Sequence, residues 1–181
     1  MIKSMTKITL ITLVMLLMVI GVVGCAKVAE TPQPAAPVWS LKLTGVSTEI
    51  ITQEEFEKGA DPSCHGAECN IKVKEGVAYV YSGIPLWVLC GRVDDEVEHG
   101  NGAFNDELAN KGYDVTVIGT DGYSITLSSK TIARNNGIIL ANEVDGQSLS
   151  QKEAPLKLVG IELKSQQMVR NVVEIHLDLS E

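Results

Sequence analysis

Arginine is scarce in this sequence, and the shortage narrows what the protein can do. Its guanidinium groups are Arg92, Arg134 and Arg170, and 15 Lys and Arg stand against 23 Asp and Glu, for a formal net charge of −8. A nucleic-acid binder needs clustered basic side chains to displace counterions from phosphate, so that class is excluded. The same balance rules out a polybasic hold on anionic lipid. Other chemistry is missing as well. There is no Cys-x-x-Cys-His for a c-type haem, no glycine-rich phosphate loop, no Ser-His-Asp order, no paired-carboxylate signature and no internal repeat. What remains is three histidines, His65, His99 and His176, and four cysteines, Cys25, Cys64, Cys69 and Cys90.

A long apolar run occurs at the front. MIKSMTK supplies Lys3 and Lys7, ITLITLVMLLMVIGVV follows without a charge, and Gly24-Cys25 comes next. A basic head, an apolar stretch and a small residue before the cut describe a secretory signal. The run also approaches the length of an uncleaved transmembrane anchor. Val22-Val23-Gly24-Cys25 is similar to the bacterial lipoprotein signal, in which the cysteine is acylated and becomes the new N-terminus, although Val22 replaces the more usual leucine. On this reading residues 1–24 are the signal, Cys25 carries lipid and residues 25–38 are a tether. Residues 39–181 are then one domain, long enough for one sizeable core. The tether, with AKVAETPQPAAPV after the cysteine, is rich in Pro and Ala and lacks an apolar period, so it is semi-extended. The expected location is the extracytoplasmic face of the cell membrane, with the lipid as anchor and the acidic surface keeping the domain soluble.

From Trp39 onward short alternating segments dominate. The pattern predicts strands at Leu41–Leu43, Asn70–Lys74, Val77–Tyr81, Tyr113–Val117, Tyr123–Leu127, Gly137–Ala141, Leu156–Leu163 and Val169–Leu177. The last sets Val173, Ile175 and Leu177 against Glu174, His176 and Asp178. Thr120-Asp121-Gly122 marks a hairpin, with Asp121-Gly122 as a two-residue connection. Helices are few. Thr52-Gln53-Glu54-Glu55 is a capping box opening a helix that ends at Gly59. Gly83 permits a tight turn into a buried apolar helix that Pro85 starts and that runs through Cys90. Phe104–Asn110 forms another that stops near Gly112, and Ser129–Arg134 adds a turn. Trp39, Phe56 and Trp87 read as core, and the tyrosines as strand residues, some of them bordering a pocket. Asp94, Asp95, Glu96 and Glu98 read as a solvated charge run beside His99. The fold class is α+β, a β-rich mixed or antiparallel sheet with a few short helices.

Cys64, His65 and Cys69 crowd into DPSCHGAECN. Outside the cytoplasm a Cys64–Cys69 disulfide is one reading, with Cys90 left over in its apolar helix. A metal held by protein ligands alone is a second. It needs Cys90, His99 or His176 to complete a spacing that is unusual for structural zinc.

A third reading follows from the order of the segments. Tyr81-Ser82-Gly83-Ile84-Pro85-Leu86-Trp87-Val88-Leu89 resembles the aromatic-x-Gly-x-Pro-Leu-x-x-Leu element of the sulfite-oxidase-like molybdopterin domain. Val115–Ile118 with Asp121-Gly122-Tyr123 and Ile125-Thr126-Leu127 resembles that family's strand, DGY turn and strand. Ile139-Leu140-Ala141 with Asp145-Gly146-Gln147-Ser148-Leu149, Ala154-Pro155-Leu156-Lys157-Leu158-Val159 and Arg170-Asn171-Val172-Val173-Glu174-Ile175 are similar to the next three elements in the same order. Each is weak alone, but together they cover about residues 75 to 178. The resemblance implies that fold and a molybdenum cofactor, molybdopterin, held by one cysteine thiolate ahead of the Gly-x-Pro-Leu element. Cys69, fourteen residues before Gly83, matches that place better than Cys64, nineteen before it. Cys69 is thus the expected catalytic and metal residue; Lys157 and Arg170 stand where the family has basic residues for the cofactor, and read otherwise as solvated strand residues. Departures are equally plain: the arginine-rich segments of catalytic members are absent. Two functions follow. One is a membrane-anchored molybdopterin-dependent oxidoreductase, transferring oxygen atoms or electrons to a redox partner protein. The other is a non-catalytic binding or interaction module on the same fold, without metal.

Overall fold

The computed structural model describes residues 38–72, 76, 78–97 and 103–179. The expected signal, Cys25, almost all of the tether, and His99 lie outside the described residues.

Ten strands among the described residues form two sheets. In the first, β1 (Ser40–Thr44) and β2 (Thr48–Thr52) make a hairpin, β5 (Asp114–Gly119) and β6 (Ser124–Ser128) make another, and β10 (Val172–Asp178) lies between them. β10 runs parallel to β1 and antiparallel to β5, so the sheet is mixed. Period-two alternation turns Leu41, Leu43, Val115, Val117, Ile175 and Leu177 inward and leaves His176 exposed, as the sequence pattern predicts. One position differs. A register shift between Val172 and Glu174 buries Val172 instead of making Val173 the first inward residue.

The second sheet is antiparallel. β3 (Ala67–Lys72) pairs with β4 (Ala78–Pro85), β4 with β7 (Ile138–Val144), and β7 with both β8 (Gln147–Ser148) and β9 (Lys157–Gly160). β9 is fully buried and β7 is buried from Ile138 to Ala141, because both of their faces are covered. Ile138, Leu140 and Leu158 face the main core, which the two sheets share with the helices. Ile139, Ala141 and Val159 face a smaller cluster with Cys69, Tyr81 and Leu149. Double burial explains why these strands read as apolar runs without alternation.

Among the described residues four short helices complete the body. α1 (Gln53–Gly59) carries the expected capping box: Thr52 Oγ1 accepts from the Glu55 N–H, and Glu55 accepts from the Thr52 N–H. Pro85 is the N-cap of α2 (Leu86–Cys90). Asn105 caps α3 (Asp106–Lys111), which gives way at Gly112, and α4 (Ser129–Ile132) is a single turn. Three expectations are corrected. β2 is a strand that the sequence reading did not include, its Ile50 lying 53% exposed on an edge strand. Gly83 is not a turn residue but sits within β4, where a Cβ would lie 2.1 Å from the Leu140 carbonyl oxygen. The Asp121-Gly122 connection is four residues long, Thr120 to Tyr123, with Gly122 at φ +80°. The two-residue turn is Asp145-Gly146, both at positive φ, between β7 and β8.

Candidate functional site

The second sheet's outer face and the chain after β9 build a cleft of about 960 Å³. Its strand wall is Asn70 and Ile71 of β3 with Tyr79 and Tyr81 of β4. Lys157 closes it from β9, and the turn and 3-10 segment that follow β9 bring Ile161, Leu163, Ser165 and Met168, then Arg170. The fold therefore gathers Lys157 and Arg170, the two basic residues expected to hold a cofactor, into one place. A neighbouring hollow of about 240 Å³, lined by Asp121, Tyr123, Gln166 and others, shares Ser165, Met168 and Arg170 with the cleft. Through Arg170 the Asp121 hairpin borders the same region.

The two basic groups differ in state. Lys157 is buried; its Nζ donates to Glu153 Oε1 at 2.6 Å and to the Tyr81 hydroxyl at 2.8 Å, and lies 4.5 Å from the Tyr81 ring centroid. Burial raises the pKa of Glu153, but the hydrogen bond and charge of Lys157, with smaller help from Ser150 and Arg170, outweigh it and hold the carboxyl below its usual value. A buried ammonium is tolerated only when paired in this way. Arg170 is exposed and makes no side-chain hydrogen bond or ion pair among the described residues.

The cysteines do not come together. Cys64, Cys69 and Cys90 are free thiols. Cys64 is exposed in the turn after α1, whereas Cys69, opposite Tyr81 on β3, points inward with no exposed surface. The disulfide allowed by their spacing is not made. The Cys69 thiol donates to the Gly137 carbonyl oxygen at 3.4 Å. Burial pushes its pKa up, partly offset by an N–H from Ile161. A thiol must ionise to ligate a metal. Cys69 abuts the cleft through Asn70, Ile71 and Ile161 but does not open into it, so as arranged it does not fit a thiolate-held metal. Among the described residues no group of three His, Cys, Asp or Glu is placed to hold a metal ion. His65 and His176 are exposed and apart from the cleft lining.

Sequence reasoning missed Glu153, Ile161 and Met168. The available signal was a lysine inside Leu156-Lys157-Leu158-Val159, since a charge in a doubly buried strand requires a partner. It also misread Asp94, which is 1% exposed instead of solvated. Its Oδ2 accepts from the Asn105 N–H at 3.0 Å, while Oδ1, like the nearby Tyr113 hydroxyl, has no partner among the described residues.

Comparison with known proteins finds fold likeness alone. No family model matches the chain, and no curated protein does. The sulfane dehydrogenase SoxCD from Paracoccus pantotrophus is a structural neighbour, with a TM-score of 0.55 at 15% identity, covering 78% of this chain and 38% of that one. The chain thus corresponds to well under half of that relative. At this identity the likeness establishes a distant relationship of fold.

Proposed function

We propose that this protein is an extracytoplasmic lipoprotein whose body uses the sulfite-oxidase-like scaffold as a metal-free binding module. The sequence before Cys25 supports the anchor. Five motifs in family order, together with the likeness to a dehydrogenase of that fold class, support the scaffold. The observation that carries the module is the state of Cys69: its thiol is closed off from the cleft, hydrogen-bonded and harder to ionise. The membrane, through lipid, is the expected partner, and the cleft is the expected binding site.

A second reading, the molybdopterin-dependent oxidoreductase, draws on the position of Cys69 directly behind a cleft that holds Lys157 and Arg170. It would require the thiol to be uncovered and Lys157 to leave Glu153 and Tyr81. The test uses full-length protein purified in detergent from a host that makes the molybdenum cofactor. Elemental analysis is expected to find neither molybdenum nor tungsten, and maleimide to label Cys64 in the native protein but Cys69 only after unfolding. Molybdenum near one per chain, lost in Cys69→Ser, would establish the enzyme instead.

A further inference from the structure

Among the described residues the cleft offers one cation with bonding capacity to spare. Lys157 has its charge matched by Glu153 within the wall. Arg170 retains a guanidinium whose five N–H groups find no hydrogen-bond acceptor among the described residues. Its electrostatic neighbour Glu153 is already bound to Lys157. Around Arg170 the walls are largely apolar. Ile71, Leu163 and Met168 contribute, and Tyr79 and Ile161 are 40% and 67% exposed, large apolar surfaces left facing water. The cleft's volume is of the size that encloses small organic molecules.

Two charge arguments then fix the ligand. The smaller hollow that shares Arg170 with the cleft is lined by Asp121, whose carboxylate accepts from the Tyr123 N–H at 2.9 Å. That carboxylate repels an anion from the small hollow and leaves the large cleft as the place for one. With Lys157 committed, a second negative charge on the ligand would find no second free cation among the described lining residues. The geometry points to a monoanionic organic acid as the ligand: a carboxylate or sulfonate on the Arg170 guanidinium, with an apolar body against Tyr79, Ile161 and Met168. A planar guanidinium binds such a group through two parallel N–H bonds.

This inference rests on the reading of the body as a binding module, yet the two fail separately. Metal in the purified protein would overturn the module and leave acid binding measurable. The test is equilibrium dialysis of the full-length protein in detergent, with a micelle-only blank, against 2-naphthoate and its neutral analogue 2-naphthamide. The acid is expected to bind at least about tenfold more tightly, the scale of one charged hydrogen-bonded contact. Arg170→Gln, at an exposed position, should erase that preference without moving the melting temperature, and Tyr79→Ala should weaken both ligands. Equal binding of acid and amide, a preference that survives in Arg170→Gln, indifference to Tyr79→Ala, or no retention of the acid would each overturn it.

Discussion

Asp94 shows how a single side chain sets a pH dependence. Burial first, then the charge of Asp95, push its carboxyl up to about 6, against opposing N–H bonds that include Asn105. Cys90 and Tyr113 lie near it and are themselves raised by burial, and Arg134 is close enough to sense its charge. None of these supplies a partner to Oδ1. A carboxyl whose folded pKa exceeds its unfolded value binds protons better when folded. Its contribution is therefore fully present in acid and is lost as pH rises from about 4 through about 6, a change of up to about 3 kcal/mol. Asp94→Asn keeps an oxygen for the Asn105 N–H and removes the charge. Denaturant midpoints at pH 4.5 and 7.5 should show the variant gaining on the natural protein at the higher pH. An unchanged difference between the two pH values would remove Asp94 from the account. The sequence could not reveal this, because Asp94-Asp95-Glu96 has the composition of a solvated loop and the fold alone buries its first member.

At the scale of elements, the same substitution should have unequal effects at two glycines. In Gly83→Ala the new Cβ would meet the Leu140 carbonyl oxygen at 2.1 Å and Ala141 Cα at 2.6 Å, both backbone, where β4 and β7 shift register. The strands must separate, so a loss of at least about 3 kcal/mol is expected. In Gly122→Ala no atom lies within 4 Å of the new Cβ, and only the φ of +80° opposes it, a loss of about 1 kcal/mol. Chemical denaturation of both variants checks the contrast, and equal losses would refute it. Both glycines stand out in the sequence. The Asp121-Gly122 turn was legible because its cause is local. Gly83 was assigned to a turn because its real constraint is a strand fifty-seven residues further along the chain.

For the molecule as a whole, the tethering reading makes its own demand. Cys25→Ser should abolish incorporation of labelled fatty acid and alter processing of the precursor; continued acylation would end the lipoprotein reading. The sequence by itself determined the elements whose causes are near neighbours: the capping box at Thr52, the proline-capped α2, the period-two strands of the first sheet other than β2, and the α+β class they compose. It also placed Lys157 and Arg170 at matching points of a familiar order of motifs. Only the tertiary structure decided which face Cys69 takes, which acid neutralises Lys157, and that Arg170 is left with bonding capacity. Those properties depend on pairings across β3, β4, β7 and β9 and on the path of the chain after β9. A thiol becomes a ligand or a buried apolar group according to what covers it, and that cover comes from residues distant in sequence.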